Sequence, residues 1–169
     1  MKKKYLINKK RLKPFFSIIT VVKNSERLIE KTIRSIINQS FKKFEYIIID
    51  GKSSDNTVAK VLHYKKNINL FLSEKDKGIY FAMNKGINLA NGKILVFVNS
   101  GDFLTINALK KIYKLFNKNK EFDFVFGTVK RYYTKKKFLN MDSILQGLNI
   151  ILILQLHIPL GSLLKSQKL

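Results

Sequence analysis

Two nearly unbroken apolar runs, Phe16-Ser17-Ile18-Ile19-Thr20-Val21-Val22 and Phe44-Glu45-Tyr46-Ile47-Ile48-Ile49, dominate the first third of the chain. Runs without polar alternation are the pattern of strands covered on both faces. Between them Leu28, Ile29, Ile33, Ile36 and Ile37 recur at helical spacing, and Asn24 or Ser25 can cap a helix running to about Gln39. The alternation continues with a short helix from Asp55 to about His63 and a strand near Ile68–Leu72. A helix over Gly78–Ala90 follows, stopped by Asn91-Gly92. Beyond it come a strand over Lys93–Val98, a helix from Thr105 through Phe116, and strands at Phe122–Gly127 and Val129–Tyr133. Strands alternating with helices predict an α/β fold: a mostly parallel sheet with helices on both faces and right-handed crossovers.

The two ends depart from this pattern. Residues 1–14 form a basic tail, expected to be mobile or surface-bound, with seven Lys or Arg before Pro14 and no acid. Ile144 to Leu160 is almost all aliphatic, but Gln146, Gly147, Asn149, Gln155 and His157 interrupt it. That predicts a buried helix or an interface-lying segment rather than a transmembrane span. The expected division is therefore a tail (1–14), an α/β domain (15–140) and an apolar C-terminal segment (141–169). A length of 169 residues suits one domain of ordinary size.

Composition narrows the chemistry. Cysteine is absent, which rules out disulfides and thiolate metal sites and fits a reducing, cytoplasmic setting. No apolar stretch follows the first charges as a secretory signal requires. Two distant histidines, His63 and His157, make a poor zinc site. Neither a Walker-type glycine loop nor a GxGxxG occurs. The net charge of +22, from 33 basic and 11 acidic residues, favours polyanionic partners such as lipid headgroups, phosphorylated substrates or nucleic acid. High Lys, Asn and Ile usage also follows from base composition alone.

Acids are scarce, yet Asp50, Asp55, Asp76 and Asp102 fall at predicted strand ends or just before a helix. Ligands of doubly wound sheets bind outside the carboxyl ends of the strands. Each acid also has a plainer reading. Asp50-Gly51 is ordinary turn chemistry, Asp55 with Thr57 an ordinary helix start, and Asp102 after Gly101 a residue that turns the chain.

Four segments together resemble family 2 glycosyltransferases. Ser17 to Asn24 is similar to their opening strand, and Tyr46-Ile47-Ile48-Ile49-Asp50-Gly51-Lys52-Ser53-Ser54-Asp55-Asn56-Thr57 to their second-strand motif. Ser73 to Tyr80 with Ala82-Met83-Asn84-Lys85-Gly86-Ile87 resembles their donor-site helix, and Val98-Asn99-Ser100-Gly101-Asp102 stands at their acidic metal-binding motif. The motifs occur in the family's order and cover roughly residues 16–130.

The resemblance implies a GT-A (Rossmann-like) fold, a nucleotide-diphosphate sugar donor, Mg²⁺ or Mn²⁺, and inversion at the anomeric carbon. It implies a glycan or lipid-linked acceptor on the way to a cell-surface polysaccharide. By this carry-over Thr20 and Asp50 contact the nucleoside, with Asn24 and Asp55 nearby; Asn84 and Lys85 line the donor pocket; Asp102 binds metal and diphosphate. The acidic cluster is reduced here to one carboxylate, which implies weak metal affinity, and Phe81 replaces an Asp common in relatives. Family members continue further and bring their general base from a second half. After Asp102 only Glu121, Asp123 and Asp142 remain, so the catalytic base is not identified and a catalytically inactive, truncated donor-binding remnant is the alternative. The basic tail and apolar segment fit peripheral contact with the inner face of an anionic membrane. A basic nucleic-acid-binding protein is the third reading. It rests on the charge and on Tyr132-Tyr133 among lysines, and no specific nucleic-acid module is legible.

Overall fold

The computed structural model describes residues 3–6, 13–118, 124–126 and 152–155. Seven strands form one sheet: β1 (Lys3–Leu6), β2 (Phe16–Val22), β3 (Phe44–Asp50), β4 (Leu70–Ser73), β5 (Ile94–Phe97), β6 (Phe124–Phe126) and β7 (Leu152–Gln155), in the order β1-β4-β3-β2-β5-β7-β6. Strands β4, β3, β2 and β5 run parallel. The helices are α1 (Ile29–Ile37), α2 (Thr57–His63), α3 (Ile79–Leu89) and α4 (Ala108–Lys118).

Both faces of the central sheet are covered, as its unbroken apolar runs predict. Every residue of β2 is buried, and successive side chains feed opposite layers. Phe16, Ile18 and Val22 pack with Ile29 and Ile33 of α1, Val61 of α2 and Leu109 of α4. Ile19 and Val21 join Ile47, Ile49 and Ala82 of α3 on the other side. Each such aliphatic side chain contributes about 1.5–3 kcal/mol by leaving water. Helix α3 lies close because Gly86 has no side chain: a Cβ there would stand 2.5 Å from Cγ2 of Ile19. The chain builds β3 and β4 outward from β2, then returns to place β5 on the opposite side of β2. That reversal leaves a crevice at the carboxyl ends of β2 and β5.

Three expectations change, and a fourth holds by a different mechanism. Helix α1 begins at Ile29, not at Asn24 or Ser25; Asn24 is engaged by the β3–α2 loop, as described below, and the Ser25 N–H donates to the Thr57 hydroxyl at 2.8 Å. The Asn91-Gly92 stop works by close approach. Gly92 lies so near β2 that a Cβ would meet the Ser17 nitrogen at 2.5 Å. Within the basic tail, Lys3–Leu6 forms an edge strand antiparallel to β4; strand ends rich in lysine are common at sheet edges. In the apolar segment, Leu152–Gln155 is a strand rather than a helix, paired antiparallel with β5 and β6. Strand formation depends on cross-strand neighbours more than on intrinsic preference, so this short apolar run becomes a strand where β5 and β6 offer it partners. The strand expected at Val129–Tyr133 lies outside the described residues, as do Glu121, Asp123 and Asp142. Among the described residues no helix is long and apolar enough to cross a membrane.

Candidate functional site

Between the end of β2 and the start of α3 lies a cavity of about 530 Å³, lined by Val21, Val22 and Lys23 on the first side and by Asp76, Lys77, Gly78, Ile79 and Ala82 on the second. Asp76 is held by its own turn: its Oδ1 accepts the Gly78 N–H at 3.1 Å. Gly78 has φ +134°, a conformation open to glycine and strained for other residues. Gly51 is needed for a different reason. A Cβ at that position would stand 2.7 Å from Asp76 Oδ2 and 3.3 Å from Cδ of Lys23, so a bare backbone lets both side chains lie over the end of β3.

Most of the predicted site residues form the scaffold of this rim. Thr20 is fully buried; its hydroxyl donates to the Val98 carbonyl at 2.7 Å and lies 3.1 Å from the Tyr46 hydroxyl. It therefore points into the core between sheet and helices. Asp50 is also fully buried. Its carboxylate accepts the Ser53 N–H and hydroxyl, and the Ser73 hydroxyl at 2.6 Å. Asn24, at φ +47°, joins two loops: its N–H donates to Ser53 Oγ and its Oδ1 accepts the Ser54 N–H, both at 2.8 Å. Asp55 accepts from Glu26 N–H at 3.1 Å and Thr57 N–H at 3.0 Å. The Thr57 hydroxyl, chiefly, holds its carboxyl below the ordinary carboxylate range, against a small opposing effect of burial. Lys85 is half-buried and pairs with Glu74 at 2.8 Å, which ties α3 to the segment after β4. Asn84 is exposed one position before it.

The β5 end is different. Ser100 N–H donates to the carbonyl of Val21, a cavity wall, at 3.3 Å, so the Asn99–Asp102 segment stands beside the crevice. Burial pushes the half-buried Asp102 carboxyl above its ordinary range, partly offset by a hydrogen bond from the Asn99 backbone. The buried Oδ1 of Asn99 has no hydrogen-bond partner. Asn99 and Asp102 share one turn, closed by the Asp102 N–H donating to the Asn99 carbonyl at 3.0 Å; an orphaned amide oxygen and a carboxylate that burial disfavours are oxygen groups of the kind a hard divalent cation takes. No cluster of three or more His, Cys, Asp or Glu accompanies it among the described residues.

The model of glycosyl transferase family 2 matches residues 17–162. The chain belongs to this family. A curated family relative is the UDP-Glc:alpha-D-GlcNAc-diphosphoundecaprenol beta-1,3-glucosyltransferase WfgD of Escherichia coli, 33% identical over 112 residues, which covers 66% of this chain and 44% of that protein. The chain spans less than half the length of the first curated relatives it matches. Among solved structures, Staphylococcus aureus TarS 1–349 with UDP-GlcNAc superposes with a TM-score of 0.69 at 22% identity, over 89% of this chain and 46% of that one. A mannosyltransferase from Pyrobaculum calidifontis, solved with GDP-Man and Mn²⁺, reaches 0.50 at 24% identity, over 53% of this chain and 28% of that one. These likenesses establish the GT-A glycosyltransferase fold.

Within the glycosyltransferase rim, none of the residues that line the cavity, Asp76 and Lys23 among them, belongs to the set of site residues expected from the sequence. Asp76 was visible as one of few acids and lies just ahead of a helix. Gly51 leaves room for both the Asp76 carboxyl and the Lys23 side chain, and that proximity has no signature in local sequence.

Proposed function

We propose that the crevice at the ends of β2 and β5 binds a nucleoside-diphosphate sugar, and that the protein transfers the sugar, with inversion, to a lipid-linked or glycan acceptor. The observation that carries this reading is that one turn, closed by the Asp102 N–H on the Asn99 carbonyl and bonded through Ser100 to the cavity wall at Val21, holds both the half-buried Asp102 carboxyl and the orphaned Asn99 oxygen. UDP-sugar use and a diphosphoundecaprenol-linked acceptor are in the name of the Escherichia coli relative, and nucleotide sugars occupy both solved neighbours. Mn²⁺ accompanies the donor in one of them, which supports a divalent cation here, Mg²⁺ or Mn²⁺.

In this reading Asn99 and Asp102 hold the cation, which when bound neutralises charge on the departing diphosphate. Lys23 supplies a positive charge on the cavity wall, and Asp76 offers a carboxylate acceptor for donor groups of the nucleoside. Asp50, Asn24 and Asp55 act from behind the wall by holding the β2 and β3 loops in register. Asn84 and Lys85 complete the α3 side. The net charge of +22 favours peripheral contact with an anionic membrane on the cytoplasmic side, where a lipid-linked acceptor would be met.

The decisive experiment is calorimetric titration of UDP, with and without Mn²⁺, into the protein and into Asp102→Ala. Metal-dependent binding that disappears in the variant is expected. A folded sample that binds none of UDP, GDP and dTDP would sink the donor-site assignment.

A further inference from the structure

We propose that Thr32 of α1 is a positioning residue for Asp102, at the head of a polar ladder through which α1 sets the geometry of the β5–α4 segment; this rests on the donor reading above. Helix α1 buries Ile29, Ile33 and Ile36 as an ordinary amphipathic helix does. Thr32 and Gln39 are nevertheless completely buried beside them, with Ser35 half-buried between. Spacings of three and four place the three on one stripe.

Every side chain of that stripe binds backbone of the segment that follows β5. Thr32 Oγ1 donates to the Asp102 carbonyl at 2.8 Å and accepts the Gly101 N–H at 3.0 Å. Ser35 Oγ accepts the Leu104 N–H at 3.2 Å. Gln39 donates to the Thr105 carbonyl at 2.7 Å and accepts the Leu109 N–H at 3.1 Å. Apolar side chains at these positions would fill the same space without the cost of burying polar groups. What they could not do is fix five backbone groups of one segment.

Thr32 has a distinct place in the ladder. Its two bonds grip the Gly101–Asp102 unit from both ends, the N–H of one residue and the carbonyl of the next. Gly101 sits at φ +100°, a region with little intrinsic preference to hold it for glycine. With that hydroxyl removed, the Gly101 N–H and the Asp102 carbonyl lose their side-chain anchor, and the turn keeps only its backbone bond from the Asp102 N–H to the Asn99 carbonyl. Partners that orient a metal ligand typically change metal affinity about 10- to 100-fold when removed.

The test compares the protein with Thr32→Val, Thr32→Ala and Thr32→Ser by calorimetric titration of UDP, with Mn²⁺ and with chelator, and follows hydrogen exchange at the Gly101 amide. Both Thr32→Val and Thr32→Ala should weaken UDP binding in Mn²⁺ about tenfold or more, leave binding in chelator within about twofold, and speed Gly101 exchange. Thr32→Ser should restore both readouts, and Thr32→Ala reports on the same bonds where the valine methyl disturbs folding. As a control for stability alone, Gln39→Met should lower the unfolding midpoint but keep the Mn²⁺-dependent gain in affinity. The proposal fails if Thr32→Val or Thr32→Ala retains the wild-type gain, or if Thr32→Ser is as impaired as they are. Failure of the donor reading is separately visible, because the unaltered protein would then bind UDP in neither condition.

Discussion

Asp50 and Asp102 end neighbouring parts of the same sheet edge and have opposite surroundings. Asp50 has no exposed surface, and its carboxylate is satisfied by the Ser53 N–H, the Ser53 hydroxyl and the Ser73 hydroxyl. Asp102 is half-buried, disfavoured as an anion by that burial, and shares its turn with an amide oxygen that has no partner. A buried charge whose hydrogen bonds are complete stabilises the loops that bind to it; one left short is held ready for something outside the protein. The difference teaches that an acid at a strand end declares its role through its neighbours, not through its position.

Substitutions at the two sites should therefore separate stability from binding. The largest effect is expected from Asp50→Ala, which strands three donors and should cost about 3–5 kcal/mol, measured as a fall in the urea midpoint. Survival of the fold with an unchanged midpoint would break the contrast. Asp102→Asn should act the other way. Because burial raises the folded Asp102 pKa, the folded protein holds that proton more tightly than the unfolded chain. Its contribution to stability is then fullest below the ordinary value of 3.8 and declines as pH rises through the folded value. Asp102→Asn should remove this decline, so the variant is at least as stable as the parent at neutral pH while its Mn²⁺-dependent UDP binding is lost. Thermal unfolding across pH checks the sign. The smallest effect belongs to Asp55→Asn. The Thr57 hydroxyl lowers the Asp55 pKa, so its contribution is present above the ordinary value and lost as pH falls through the folded one. A slight drop in melting temperature at neutral pH, vanishing in acid, is the expected result.

Much of this was legible in the residues themselves. The β-branched runs that become β2 and β3 have one physical solution, burial on both faces; α1 follows from apolar periodicity, and α2 to α4 from their start and stop residues. Of the acids read at strand ends, Asp76 lines the cavity. What local pattern could not convey was direction and partnership. Thr20 looks like a strand-end hydroxyl, but its bonds to Val98 and Tyr46 turn it inward. Asn24 looks like a helix cap and instead clamps Ser53 and Ser54 across a loop. Residues Lys3–Leu6 and Leu152–Gln155 become strands because the sheet offers them an edge, and such pairing is written in the distant partner, not in the segment. Asp76 joins the cavity through a glycine twenty-five positions earlier.

The place of β7 has a consequence during synthesis. The parallel strands β2 to β5 are complete once Phe97 has been made, whereas the strand that covers β5 begins at Leu152. At translation rates of about 5–20 residues per second, that interval lasts roughly 3–11 s. Throughout it, the apolar Ile94–Phe97 strand presents an open edge to every other nascent chain nearby, a template for pairing between molecules. Slowing synthesis beyond residue 97, or withholding chaperones that shield such edges, should raise the aggregated fraction of newly made protein without altering the finished fold at all.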